Sequence, residues 1–327
     1  MRVLVLHSDV PPDAPPDEQD TLITARAVAG ALLDRGHRVE LRAFFPDPAH
    51  LTSVLRDFEA EVVFNLVESV FGHGDLAGIA AAMLSRSAIP FTGASSAALS
   101  GAADKCFAKN VLRHAGLPTP DWCEPPSWNG LSRDISYVVK WIDEDASVGL
   151  DDGALVRGEA VRSRAAVCAE RHGGRWFAEA YCPGREFNVS VLSDDGAPRV
   201  LPIAETEFRG WPHDRPRIVG YAAKWHSDSP DCIGTPRAFG IERELPGLAR
   251  TLAELACSAW RVMDLRGYAR VDFRLDAHGA PMILELNPNP CLEPHAGFAA
   301  AAAEAGIAYP DVVARIVAEV AEKSCFR

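Results

Sequence analysis

No stretch of this chain approaches the ~20 consecutive apolar residues that a membrane-spanning helix needs. Its first apolar run, in MRVLVLHSD, is too short for the core of a secretion signal and reads as a strand. There is no block of Lys or Arg, and the net charge is −12, which argues against nucleic acid as a main partner. The eight cysteines (Cys106, Cys123, Cys168, Cys182, Cys232, Cys257, Cys291, Cys325) include no CxxC pair, and their scatter suits reduced thiols in a cytosolic protein. No GxxxxGK[ST] occurs, so the chain is not a P-loop protein. The first strand also lacks GxGxxG, the fingerprint an NAD oxidoreductase would carry.

What is present is enough apolar material for two or three modules: 327 residues, 48% of them hydrophobic. The most informative stretch is GYARVDFRLDAHGAPMILELNPNP, residues 267–290. Residues 268–275 and 282–286 alternate as strands around the turn Asp276-Ala277-His278-Gly279, which predicts a β-hairpin. Facing strands lie only ~4.8 Å apart, so Asp272 on one arm and Glu285 on the other come together, with Asn287 just beyond. Two carboxylates and an amide form a hard-oxygen set that suits Mg²⁺. Arg270 shares the face of Asp272 and adds a permanent cation. An ordinary hairpin with solvated charges is the competing reading. Against it, a carboxylate inside a run as apolar as MILEL needs a partner, and a metal would supply one.

In chain order, residues 3–7, 38–44 and 62–66 read as strands, and residues 21–35, 51–58 and 76–85 as helices. This alternation predicts an open, mostly parallel sheet. Ligands of such sheets gather where the strands end, which singles out Asp17, Glu18, Glu68 and His73. Residues 95–115 form a helical region with Asp104, Lys105 and Lys109. A strand at 137–140 ends in Lys140, and a small polar loop, DEDASVGL at 143–150, follows. Strands at 176–181 and 187–192 carry Glu179 and flank Glu186. Lys224 precedes a helix at 245–263, and helices at 298–305 and 311–320 follow the hairpin. Cations, a flexible loop, carboxylates suited to ribose and a metal set, in this order, describe a nucleoside triphosphate site.

With DKCFAKNVLRHAGLPTP (104–120), VVK (138–140), EAYCPGREF (179–187), AAKW (222–225) and the pair ARVDF…LELNPNP on the page, the chain resembles an ATP-grasp carboxylate–amine ligase of the D-alanine–D-alanine ligase type over nearly its whole length. The resemblance implies an α/β chain, α+β in its C-terminal part: an N-terminal open parallel-sheet domain (1–96), a central ATP-grasp subdomain (97–182) and a C-terminal catalytic domain (183–327), with ATP between the last two. It implies that Lys105 and Lys140 contact ATP phosphates, that Glu179 and the backbone of Ala180, Tyr181 and Cys182 line the adenine pocket, and that Glu186 binds the ribose. The loop around Ser147, Val148 and Gly149 would close over the phosphates, and Lys224 would reach the γ-phosphate. Asp272, Glu285 and Asn287 would hold two Mg²⁺ ions, with Mn²⁺ as a substitute, and Arg270 would face the reacting carboxyl.

The implied reaction forms an amide or peptide bond through an acyl phosphate and releases ADP and phosphate. The partners are small carboxylate and amine substrates, with no nucleic acid and no membrane, and a homodimer is admitted. The substrate side departs from the family pattern at Glu68-Ser69, at Gly72-His73-Gly74-Asp75, at residues 289–297 and at Trp225. Substrates other than D-alanine are therefore expected, with D-alanine–D-alanine ligation and a non-catalytic ATP-binding protein as the alternatives. Glu18 and Glu68 are the candidates for a substrate amine, and Glu293 or His295 for the attacking amine.

Overall fold

The computed structural model describes residues 1–144 and 146–324. Its first sheet is parallel, in the order Arg38–Ala43, Arg2–His7, Val62–Leu66. The central strand, RVLVLH, is apolar without alternation because both of its faces are covered. Helices Pro48–Phe58 and Gly78–Leu84 pack on one face. Helix Pro16–Asp34 packs on the other, joined there by the last helix, Tyr309–Ser324, through Val312, Val313, Ile316 and Val317. The end of the chain thus completes the core of its beginning.

A second sheet is antiparallel, in the order Trp122–Cys123, Trp176–Ala180, Ser136–Trp141, Leu155–Arg157, and is backed by helix Val161–His172. The third has six strands. Arg237–Phe239, Ala204–Thr206, Glu186–Asp194, Tyr268–Leu275 and Pro281–Pro288 run in that order, and Ala197–Val200 pairs with Glu186–Asp194. Its central strands alternate strictly. Phe187, Val189, Val191, Ala269, Val271 and Phe273 point into the core beneath helix Pro246–Val262. Glu186, Asn188, Arg270, Asp272 and Arg274 therefore share the opposite face.

The helical region expected at 95–115 is two helices, Ser96–Ala103 and Lys105–His114. The break falls at Asp104, which takes an extended conformation and accepts from Phe107 N at 2.8 Å as an N-cap. Ala98, Leu99, Ala102, Ala108 and Leu112 from these helices are buried in the core of the six-stranded sheet. The first two helices after residue 95 thus pack on the six-stranded sheet. Residues 221–225 form a short helix.

Candidate active site

The hairpin is built by the expected arms, Tyr268–Leu275 and Pro281–Pro288, and contains one feature the sequence did not announce. From Leu275↔Pro281 the pairing runs evenly to Phe273↔Ile283. A β-bulge then lets Asp272 face Glu285, where an unbroken ladder would set it against Leu284. The extra residue puts Asp272, Glu285, Arg270 and Asn287 on one polar face, since Arg270 pairs with Asn287.

Asp272 is held from several directions. Arg270 donates to both of its oxygens, Nε to Oδ1 at 2.7 Å and Nη2 to Oδ2 at 2.8 Å, a fork-to-fork geometry. Asn188 Nδ2 donates to Oδ1 at 2.8 Å and Asn287 Nδ2 to Oδ2 at 3.0 Å. Burial alone would depress Arg270, and the Asp272 carboxylate outweighs it, so the guanidinium is held above its ordinary range. Glu285 pairs with Lys105 Nζ at 3.1 Å. Among the described residues no group of three or more His, Cys, Asp or Glu side chains gathers as a metal cluster. The set that could hold a cation is therefore Asp272 and Glu285 with the Asn287 amide, completed by water or phosphate oxygens. That composition fits Mg²⁺, which seldom takes an all-protein cage.

This polar face opens on a cavity of about 770 Å³ lined from all three sheets and their connections. Lys140, Ser147, Glu179, Ala180, Tyr181, Cys182, Glu186, Lys224, Arg270, Asp272, Glu285 and Asn287 all line it, as do Glu18, Glu68, Glu293 and His295. Asp17 lines it and accepts from the Tyr221 hydroxyl at 2.7 Å. Four expected residues, His73, Lys105, Val148 and Gly149, are not in its lining. Lys105 is buried beneath the surface, where its ammonium donates to the carbonyls of Glu144 (2.7 Å) and Ile142 (3.4 Å) as well as meeting Glu285. Gly149, at φ +74°, lies so close to Trp176 that a Cβ there would meet its ring at 2.5 Å. Ser147, two residues earlier, is itself left-handed at φ +63°. Trp225 Nε1 donates to Ala146 O at 3.0 Å and ties this loop to the helix of Lys224. Asp145, within the loop, lies outside the described residues.

Glu179 is fully buried between two lysines. Lys140 Nζ lies 2.7 Å from Oε1, and Lys109 Nζ reaches Oε2 while donating to Thr119 Oγ1 at 2.9 Å. Burial pushes Glu179 up, but the two ammonium groups outweigh it and the carboxyl lies below its usual range. Glu186, by contrast, is pushed up by burial, opposed by Arg274 at 3.7 Å.

Five acids face the cavity from the first domain and from the turn after the hairpin: Asp17, Glu18, Asp20, Glu68 and Glu293. Glu68 stands at the end of the third strand, where its N–H donates to Ser8 Oγ at 3.0 Å and its Oε2 accepts from Thr21 at 3.2 Å. Asp20 accepts from the Cys291 thiol at 2.9 Å. Burial raises Asp20, with Glu293 adding to it; burial, then Asp17 and Glu144, raise Glu18. The Glu293 N–H donates to Cys291 Sγ (3.3 Å), and Glu293 accepts from His295 N (2.7 Å).

Sequence reasoning gave no role to Asp20, Lys109, Asn188, Arg237 or Arg274. Asn188 was readable, two residues from Glu186 on an alternating strand. So was Lys109: the chain has only five lysines, and four of them (105, 109, 140 and 224) line this cavity or bind its lining carboxylates. Asp20 is one helical turn beyond Asp17, but its partner Cys291 is 271 residues away.

A family model described as the D-ala D-ala ligase C-terminus matches residues 131–318. The uncharacterized protein y4sG of Sinorhizobium fredii is 30% identical, over 90% of this chain and 82% of its own length. A D-alanine–D-alanine ligase of Acidiphilium cryptum is also 30% identical, over 93% and 95%. Among solved structures, the D-alanine–D-alanine ligase of Bacillus anthracis complexed with ATP superposes with a TM-score of 0.73 at 18% identity, covering 99% of this chain and 98% of that one. The enzyme from Coxiella burnetii gives 0.74 at 17% identity, with coverage of 100% and 95%. A parallel N-terminal sheet and two antiparallel sheets around one charged cleft are the fold of an ATP-grasp ligase, an ADP-forming enzyme. The chain belongs to the D-alanine–D-alanine ligase family. No helix among the described residues is long and apolar enough to cross a membrane.

Proposed function

We propose that this enzyme joins a carboxylate to an amine through an acyl phosphate, releasing ADP and phosphate, on amino-acid-like substrates other than a pair of D-alanines. The observation that carries the reading is the bulged hairpin, which sets Asp272, Glu285, Asn287 and Arg270 on the wall of the same cavity as Lys140, Lys224 and Glu186.

In this reading Glu186 takes the ribose hydroxyls, and Glu179, kept ionised by Lys109 and Lys140, offers an acceptor to the adenine amine. Lys140 and Lys224 lie toward the phosphates. Bound Mg²⁺ would neutralise the charge of the transferring phosphoryl group. The substrate carboxylate attacks the γ-phosphorus and ADP leaves. The amine then attacks the acyl carbon, loses a proton, and phosphate departs with the electrons of the broken C–O bond. Arg270 faces the oxyanion of that step. The loop of Ser147, anchored through Trp225, excludes water from the acyl phosphate.

The acids at 17, 18, 20, 68 and 293 support a substrate that brings an ammonium group. They also argue against small neutral side chains on both partners: a pair of D-alanines would leave several like charges crowded at one end, with burial already raising two of them. ADP release screened over D- and L-amino acids and small amines, with mass spectrometry of the products, tests the reading. The best substrates should not be two D-alanines, and a marked preference for D-alanine would return the chain to the family's eponymous reaction.

Glu68 is the sharpest test of the substrate half. Glu68→Gln should raise KM for the ammonium-bearing substrate about tenfold or more, since bonds to charged groups are worth roughly 1.5–3 kcal/mol. KM for ATP should change less than about twofold. An unaltered substrate KM would remove Glu68 from the site.

A further inference from the structure

We infer that Asn188 is a positioning residue for the metal set: its side-chain amide, itself held by Thr206, fixes the Asp272 carboxylate in place opposite Glu285. The inference rests on the ligase reading above, with the hairpin as its metal site, and adds a residue from outside the hairpin.

Asn188, Asp272 and Glu285 lie opposite one another on three neighbouring strands, Glu186–Asp194, Tyr268–Leu275 and Pro281–Pro288. Asp272 is the middle member, so Asn188 meets it on the side away from Glu285. Asn188 Nδ2 donates to Asp272 Oδ1 at 2.8 Å. The carboxylate sets the direction of this amide: an ionised Asp only accepts, so it takes the NH₂ end. The Oδ1 end is left to Thr206, whose hydroxyl donates to it at 3.3 Å from the next strand, Ala204–Thr206. Thr206 is the diagonal neighbour of Asn188, since its own opposite residue is Glu186. Thr206, Asn188 and Asp272 all line the cavity.

The anchor is rigid because its strand is. Asn188 sits between Phe187 and Val189, both fully buried, and the strand is paired on both sides. The other groups on Asp272 have second duties in the ligase reading. Arg270, which forks onto both oxygens, faces the oxyanion, and Asn287, at 3.0 Å from Oδ2, is itself a metal donor. Asn188 has no such duty and is the member left to hold the acid while the others act. As an amide it does so without adding charge, so the two carboxylates keep theirs for a divalent cation. Groups that orient a metal ligand from behind are typically worth about 10–100-fold in metal affinity or activity.

The test reads binding rather than turnover. The Kd of the full chain for the β,γ-imido analogue of ATP is measured by calorimetry with and without Mn²⁺. The factor by which Mn²⁺ tightens the analogue is the metal's contribution made through the protein. Asn188→Leu keeps the size of the side chain and removes the donor, and should lower that factor about tenfold or more. Thr206→Val removes the hydroxyl that orients the amide and should lower it about threefold, the weight of one ordinary hydrogen bond. In the double variant Thr206→Val should add nothing, because the amide it orients is gone. The Kd without metal should stay within about twofold in all three, since their residues lie outside the nucleotide contacts. A merely structural role would lower the melting temperature and leave the Mn²⁺ factor unchanged. An unchanged or larger factor in Asn188→Leu, or a Thr206→Val effect that persists in the Asn188→Leu background, would overturn the assignment. Should Asn188→Leu fail to fold, an unaltered factor in Thr206→Val would overturn it alone. Absence of any Mn²⁺ effect on wild type would contradict the hairpin as metal site and remove this inference with it.

Discussion

Replacing Asp272 by Asn or Glu285 by Gln should lower kcat on the order of 10³-fold or more, because a divalent cation supplies several kcal/mol of stabilisation to the transferring phosphoryl group. Both substitutions keep the shape of the side chain and remove one negative charge from a three-donor set. The Mg²⁺ concentration giving half-maximal rate should rise in both. Each acid also neutralises a cation, Arg270 for Asp272 and Lys105 for Glu285, so some stability is lost as well. The two effects separate experimentally: circular dichroism should be unchanged and ATP-free unfolding should remain cooperative, while turnover collapses. Activity within a few-fold of wild type in either variant would show that the hairpin is not the metal site.

The second large effect is on stability. Glu179 and Lys109 are 2% and 1% exposed, and Glu179 also serves Lys140. Removing one member of a buried ion pair typically costs about 3–5 kcal/mol, because the other charge is left behind in a medium that solvates it poorly. Glu179→Ala should lower the unfolding free energy by about that amount. Lys109→Met combined with Glu179→Leu should recover much of it, since Lys140 borders the cavity and can turn to water. The pH dependence follows from the sign of the shift. The folded carboxyl lies below the ordinary 4.5. Its stabilising contribution is therefore complete above about pH 4.5 and is lost as pH falls through the folded value. The gap between wild type and Glu179→Ala in urea titrations should be constant near neutrality and close in acid. A gap that persists unchanged in acid would mean that the pair is not ionised in the folded protein.

Residues on alternating strands were the legible part of this chain. Tyr268–Leu275 and Pro281–Pro288 announced themselves through period-two patterning and an Asp-to-Gly turn, and Asp272, Glu285 and Asn287 came with them. The bulge that brings Asp272 and Glu285 into register did not, because one extra residue in an apolar run leaves the pattern almost unchanged. Where Lys105 and Gly149 lie depends on packing that a motif does not carry: backbone carbonyls at 142 and 144 receive the Lys105 ammonium, and the Trp176 ring leaves no room for a Cβ at Gly149. Arg237 and Asp20 depend on long-range neighbours. One follows an irregular stretch with no readable period, and the other meets a thiol near the opposite end of the chain. Acids at strand ends, such as Glu68, were legible for a different reason: a parallel sheet opens its site where its strands end.

The most direct test of the central claim follows oxygen. The enzyme is run with its best carboxylate substrate labelled with ¹⁸O in the carboxyl group, and the phosphate released is examined by mass spectrometry. Transfer through an acyl phosphate predicts one labelled oxygen in each phosphate, with ADP as the nucleotide product and the amide retaining the other. Unlabelled phosphate, or AMP in place of ADP, would contradict the account.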